Sequence, residues 1–123
     1  MIDTHSHIYL EEFNNDLTEV INRAKKVGIQ HIILPNVDEK SIKSLLETEE
    51  KYKGFCHAAM GLHPTSVNAD YKTSLTEIEK QLKQRTYVAI GEIGIDLYWD
   101  KRFFQAQKSK LVINLYCFKC ISI

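Results

Sequence analysis

Apolar positions along this chain follow two rhythms. Four short runs, Met1–Asp3, His31–Val37, Phe55–Gly61 and Tyr87–Ile93, are rich in apolar and β-branched residues. Runs of this length between polar segments read as strands buried on both faces. Between them the period lengthens. Leu17, Val20, Ile21, Ala24 and Val27 recur at helical spacing, with Asp16 placed as N-cap and Gly28 as stop. Ile42, Leu45 and Leu46 mark a second helix, after Asp38 and ending before Gly54. Ser74-Leu75-Thr76-Glu77 has the form of a capping box, with Ile78 and Leu82 following on one face. The order β-α-β-α-β-α-β predicts an α/β fold, a parallel sheet covered by helices.

The chemically versatile residues gather where the apolar runs end. Asp3-Thr4-His5-Ser6-His7 follows the first, Pro35-Asn36 closes the second, Gly61-Leu62-His63-Pro64 follows the third, and Glu92 ends the fourth. Side chains alternate along an extended chain, so His5 and His7 point the same way and can converge on one ion. Taken alone, a His-x-His is equally a pair of surface or capping histidines. Parallel strands, however, present their C-terminal ends on one face, where α/β barrels and open α/β sheets place active sites. Four separate segments reaching that face favour a site.

Composition narrows the class. The chain has 123 residues, 44% hydrophobic and 26% charged, enough for one globular core. Sixteen basic residues balance sixteen acidic ones, so no net field draws it to nucleic acid or to an anionic membrane. A phosphate ligand would need a bound cation to attract it. No basic stretch followed by an apolar core opens the chain, and Leu111–Ile123 is short and interrupted by Asn114 and Lys119. The expectation is a cytoplasmic protein with no membrane partner. Three cysteines, an odd number, fit a reducing compartment. Cys117 and Cys120 lack the context of a redox or zinc pair, and Cys56 reads as a small buried strand residue. His31 and His57 lie at strand starts, away from the chemistry, and read as structural.

In their order and spacing, Asp3-Thr4-His5-Ser6-His7, Gly61-Leu62-His63-Pro64 and Gly91-Glu92-Ile93-Gly94-Ile95-Asp96 resemble three N-terminal signatures of the TatD family of metal-dependent deoxyribonucleases. These are amidohydrolase-like TIM-barrel enzymes. The resemblance extends to about residue 107, through Phe103-Phe104-Gln105-Ala106-Gln107. It implies the N-terminal half of a (β/α)8 barrel over residues 1–108. It also implies that His5 and His7 hold one divalent ion, that Glu92 bridges it to a second, and that His63 touches substrate phosphate. The implied cofactors are two divalent ions per complete site, Mg, Mn or Zn, and the implied substrate is DNA. Asp96 matches the family pattern but also suits a purely loop-shaping role. Tyr98 and Trp99 suit either stacking on a base or packing under the fourth helix.

A barrel of this kind takes ~250 residues. The family's later ligands, two histidines and an aspartate, have no counterpart, since no histidine follows His63 and the last aspartate is Asp100. Residues 109–123 do not resemble the family. A frameshift or truncated gene product accounts for this, as does a genuine short variant. The expected function is metal-dependent hydrolysis of DNA phosphodiesters, with this chain inactive alone. The alternatives are a non-catalytic remnant or another hydrolase of the superfamily, such as an amidase or lactonase. Open sheet edges in a half-barrel lead to an expectation of self-association.

Overall fold

The computed structural model describes residues 1–121, with side chains through Ile113. The Cys117/Cys120 side chains and the last two residues of the 109–123 tail, Ser122 and Ile123, lie outside the described residues. Four strands, β1 (Ile2–Asp3), β2 (His31–Pro35), β3 (Cys56–Met60) and β4 (Ala89–Ile90), alternate with α1 (Leu17–Lys26), α2 (Ile42–Lys51) and α3 (Tyr71–Gln84). A last helix, α4 (Phe104–Ile121), follows β4. The strands form one sheet in the order β1-β2-β3-β4, and every neighbouring pair is parallel. The parallel sheet covered by helices is the one the alternation of periods predicted, and it forms the N-terminal half of a TIM barrel, as the family resemblance implied.

The register explains which strand residues are buried. Ile32 pairs with Cys56 and Leu34 with Ala58, and all four belong to the core beneath the helices. Ile33 pairs with His57 on the opposite, inner face of the half-barrel. Ile21, Leu45 and Ile78 carry the helices onto the sheet, each essentially without exposure. Burying a side chain of this size stabilises the fold by about 1.5–3 kcal/mol.

Helix α1 stops where Gly28 was expected to stop it. With Gly28 at φ 86°, its N–H donates to Lys25 O at 3.0 Å, and Ile29 N–H donates to Ala24 O at 3.0 Å. That pair of bonds is a Schellman ending, which needs a left-handed residue. Two details differ from the sequence pattern. β1 and β4 are two residues each, shorter than their apolar runs, because each pairs with only one neighbour among the described residues. Helix α3 begins at Tyr71 rather than at a Ser74 cap, and Ser74 lies buried inside it. Asn68 and Asp70 start the helix one turn earlier: Asn68 Oδ1 accepts the Asp70 N–H at 2.8 Å, and Asp70 O accepts that of Thr73. Among the described residues, no helix is long and apolar enough to cross a membrane.

Candidate metal centre

The loop after β1 remains alongside β2 although it is no longer a strand. Asp3 Oδ1 accepts the His5 N–H at 3.0 Å, and Ser6 N–H donates to Ile33 O at 3.1 Å. His5 and His7 straddle that anchored Ser6 and turn to the same side. Their Nε2 atoms stand 3.1 Å apart.

Glu92 reaches the same point from the end of β4. Its segment is held by backbone: Gly91 N–H donates to Met60 O at 3.1 Å and Glu92 N–H to Asn36 O at 3.0 Å. Asn36 organises this corner. It is fully buried, and its Nδ2 donates to Gly61 O at 2.8 Å and Asp38 O at 2.9 Å, while Oδ1 accepts the Ser41 hydroxyl at 3.1 Å. Its own N–H is shared between Ala59 O and Gly91 O. The two glycine loops also touch: a Cβ on Gly61 would stand 2.9 Å from the Gly91 carbonyl carbon and 3.0 Å from the Glu92 carbonyl oxygen. Only glycine allows that approach.

Glu92 Oε2 lies 2.9 Å from His5 Nε2 and 3.3 Å from His7 Nε2. It is buried, with no hydrogen-bond partner among the described residues. A buried carboxylate oxygen without a donor is costly unless something else neutralises it. The protonation of His7 explains why its nitrogen does not do so. Tyr9, buried, donates its hydroxyl proton to Pro35 O, so its oxygen accepts from His7 Nδ1 at 3.1 Å. With its proton on Nδ1, neutral His7 turns a lone pair on Nε2 toward Glu92. Metal-binding histidines are oriented through the far ring nitrogen in this manner. Burial, then the neighbouring His5, lowers the His7 pKa, while Glu92 works against them. Neutral imidazole is the ligand form. His5, His7 and Glu92 thus bring one donor atom each within 4.8 Å of one another and could hold a cation.

His63 sits on the same rim in a different tautomer. Its Nδ1 accepts from the Thr65 N–H at 3.1 Å and lies 2.7 Å from the Thr65 hydroxyl. The ring proton therefore resides on Nε2, 3.1 Å from Glu92 Oε1. That nitrogen is a donor toward the site, not a lone pair.

The remaining residues divide. Asp96 shapes its loop: its Oδ1 accepts the Tyr98 N–H at 2.8 Å, and its N–H donates to Gln107 Oε1 at 2.8 Å. Tyr98 and Trp99 are 83% and 77% exposed, edge to face, so they do not pack under a helix. Trp99 lines a cavity of about 240 Å³ with Pro64, Thr65 and Asp96, next to His63. His31 and His57 lie on the inner face, as placed by the register, at the end away from Glu92.

Three contributors escaped the sequence pattern. Tyr9 continues the alternation of His5 and His7, a signal that was there to be used. Asn36 was visible only as a strand end. Lys110, in α4, is fully buried and donates its Nζ to Leu62 O, beside His63. Burial pushes its ammonium down to about 8, with Glu92 pulling it back up. Nothing in an apolar run of tail residues marks one lysine as buried.

Comparison with known proteins agrees with this geometry. Residues 2–114 match the family model described as TatD related DNase. The chain is 36% identical over 108 residues to YabD of Bacillus subtilis, described as an uncharacterized metal-dependent hydrolase, covering 88% of this chain and 42% of that one. It is 27% identical over 96 residues to the 3'-5' ssDNA/RNA exonuclease TatD of Edwardsiella piscicida, covering 78% of this chain and 37% of that one. The crystal structure of the TatD homologue YjjV from Escherichia coli superposes on all of this chain and 48% of its own, with 32% identity and a TM-score of 0.90. The chain spans about 40% of the curated relatives it matches, and the family match runs past Lys108 to residue 114. Its place follows from both the fold and the site: the chain belongs to the TatD related DNase family.

Proposed function

We propose that this chain provides the N-terminal half of a metal-dependent phosphodiesterase site acting on DNA. The observation that carries this reading is the meeting of two histidine nitrogens and a donor-less buried Glu92 oxygen. His5 and His7 are the ligands of one divalent ion, Mg, Mn or Zn. Glu92 would help to hold a second, giving two ions in a complete site. A bound pair of such ions supplies the activation of water and stabilises the charge on attacking and leaving oxygens.

The chain's own residues do the rest. Tyr9 and Pro35 keep His7 in the ligand tautomer, and Asn36 holds the Glu92 backbone. His63 presents its Nε2 proton to a substrate phosphate oxygen, with Thr65 fixing the ring. Tyr98 and Trp99, exposed beside the His63 rim, offer aromatic faces for unpaired bases; such stacking tolerates any base. The names of nuclease relatives support a nucleic-acid substrate. The free thiol of Cys56 suits the cytoplasmic setting expected from cysteine usage.

These three ligands are too few to fix two ions, and two-metal catalysis depends on fixed geometry. The 123-residue chain alone therefore binds one ion but hydrolyses DNA slowly at best. The divergent part of the chain in this reading, placed at residues 109–123 from the sequence, is reduced by the family match to the residues after 114. Among the described residues β1 and β4 each pair on one side only, and these open sides, with Ile2 and Val88 exposed nearby, favour self-association.

Isothermal titration with Zn or Mn, beside hydrolysis of single-stranded DNA, tests the assignment. Wild-type chain should bind one equivalent of Mn, an ion poorly held by two imidazoles alone, and Glu92→Ala should weaken that binding at least tenfold. Unchanged binding in Glu92→Ala would remove the metal assignment. Robust hydrolysis by the wild-type chain, lost in Glu92→Ala, would show that the short ligand set suffices. Light scattering on a size-exclusion column reads the association separately.

A further inference from the structure

At the end of the sheet away from Glu92 lies a second pair of histidines that the proposed function does not use. His31 opens β2, and His57 is the second residue of β3. Ile33 is the register partner of His57, so His31 is its diagonal neighbour, two residues earlier on the same face. That face is the inner one, because Ile32, Cys56 and Ala58 turn the other way into the core. His31 is exposed and His57 half-buried. His31 Nδ1 and His57 Nε2 stand 3.0 Å apart, with ring centroids at 5.0 Å.

We propose that His31 and His57 form a two-nitrogen site for a tetragonal transition-metal ion of the Cu(II) or Ni(II) class. The spacing points to that geometry. Two imidazole nitrogens each ~2.0–2.1 Å from one ion are ~2.9 Å apart at a right angle and ~3.4 Å apart at the tetrahedral angle. The observed 3.0 Å, set by the hydrogen bond between the two rings, already brings the nitrogens to the separation of cis positions on a tetragonal ion. In the neutral pair one ring donates to the other. Coordination needs only that the donor ring keep its proton on the far nitrogen instead, so no proton is gained or lost.

The backbone under the pair is well fixed. β2 and β3 share four register pairs, the longest pairing in the sheet, and neither strand has to move to present the two rings. An ion here would be distinct from one at the strand C-termini. From His31 to Pro35 the strand advances four residues, ~13 Å at ~3.3 Å per residue. Among the described residues these two nitrogens alone are paired at this place, so water would fill the remaining positions on the ion. Affinity therefore follows the general order for divalent ions, with Cu(II) tightest.

Titration of the full chain with Cu(II), followed by electron paramagnetic resonance and calorimetry, tests the site. A His5→Ala/His7→Ala background removes the first centre and leaves His31, His57 and His63 as the histidines. In it, one equivalent of Cu(II) should bind with an axial spectrum carrying splitting from two nitrogens, and should raise the melting temperature. Adding His57→Asn should weaken that equivalent at least tenfold and remove the two-nitrogen splitting, whereas adding His63→Ala should change neither. If His57→Asn does not fold, His31→Gln, an exposed substitution, carries the same comparison. Retention of the equivalent in either folded variant places the ion elsewhere and overturns the proposal. So does a spectrum with one nitrogen.

Discussion

Helices α3 and α4 pack against each other, yet among the described residues their fully buried side chains differ in kind. α3 turns Leu75, Ile78 and Leu82 into the core, each 4% exposed or less. α4 buries Gln107 and Lys110, at 2% and 0% exposure. Apolar burial is non-directional, so α3 is fixed by how much surface it covers. Buried polar groups are stable only with their partners in place, so α4 is fixed by what it touches. Its two polar anchors end at the site's loops, Gln107 on Asp96 and Lys110 on Leu62. One helix closes the core. The other ties the core to the rim around His63 and Glu92.

The largest effect should come from the apolar helix. Ile78→Ala removes a side chain with no exposure and leaves a cavity, costing about 2–5 kcal/mol of stability. Urea unfolding would measure it. Metal binding in the folded fraction should be nearly unchanged, because Ile78 makes none of the hydrogen bonds that hold His5, His7 or Glu92.

Lys110→Met should act in the opposite sense. The Lys110 ammonium is lowered from 10.5 to about 8 by burial, so the folded state holds that charge at neutral pH at a cost of at most about 3 kcal/mol. Between about pH 8 and 10.5 the unfolded chain binds this proton and the folded chain does not, so wild-type stability gains from Lys110 as pH rises. Methionine has nearly the same shape and no charge. The variant should therefore be more stable than wild type at pH 7, by about 1–3 kcal/mol, with the gap closing by about pH 10. Burial raises the Cys56 thiol to about 11 and also raises Tyr87. Their alkaline loss of stability occurs in both proteins and cancels in the difference. A variant less stable than wild type at both pH values would mean that the Leu62 hydrogen bond outweighs the charge.

The same contrast marks how far the sequence could be read. The parallel sheet with its covering helices was legible because apolar runs and helical spacing are properties of single segments, whereas its curvature into half a barrel was implied only by the family resemblance. His5, His7, His63 and Glu92 were legible as a set because each follows an apolar run, and parallel strands bring such positions to one face. The first turn of α3 was not: Ser74-Leu75-Thr76-Glu77 satisfies a local rule, while the helix starts at Tyr71 and buries Ser74 against its neighbours. Asn36 and Lys110 were not either. Their partners, Gly61 and Leu62, lie 25 and 48 residues away. Pairings of that kind are set by packing and leave no periodic trace.

Gln107→Ala carries the smallest stability effect and tests the polar tether most directly. Gln107 clamps Asp96 through both amide atoms: Oε1 accepts the Asp96 N–H at 2.8 Å and Nε2 donates to Asp96 O at 3.0 Å. Two neutral hydrogen bonds contribute about 1–2 kcal/mol together, and part of the loss returns when water reaches the freed groups. The consequence for the rim should exceed the consequence for the fold. Asp96 Oδ1 holds the Tyr98 N–H at 2.8 Å, so releasing the clamp frees the segment carrying Tyr98 and Trp99. Trp99 fluorescence and amide hydrogen exchange over residues 94–100 should report a looser loop, with a melting temperature only a few degrees lower. Gln107→Glu should recover the bond from the Asp96 N–H and not the one to its carbonyl, giving intermediate exchange. A loop as protected in Gln107→Ala as in wild type would show that apolar contacts alone seat α4, and the contrast with α3 would vanish.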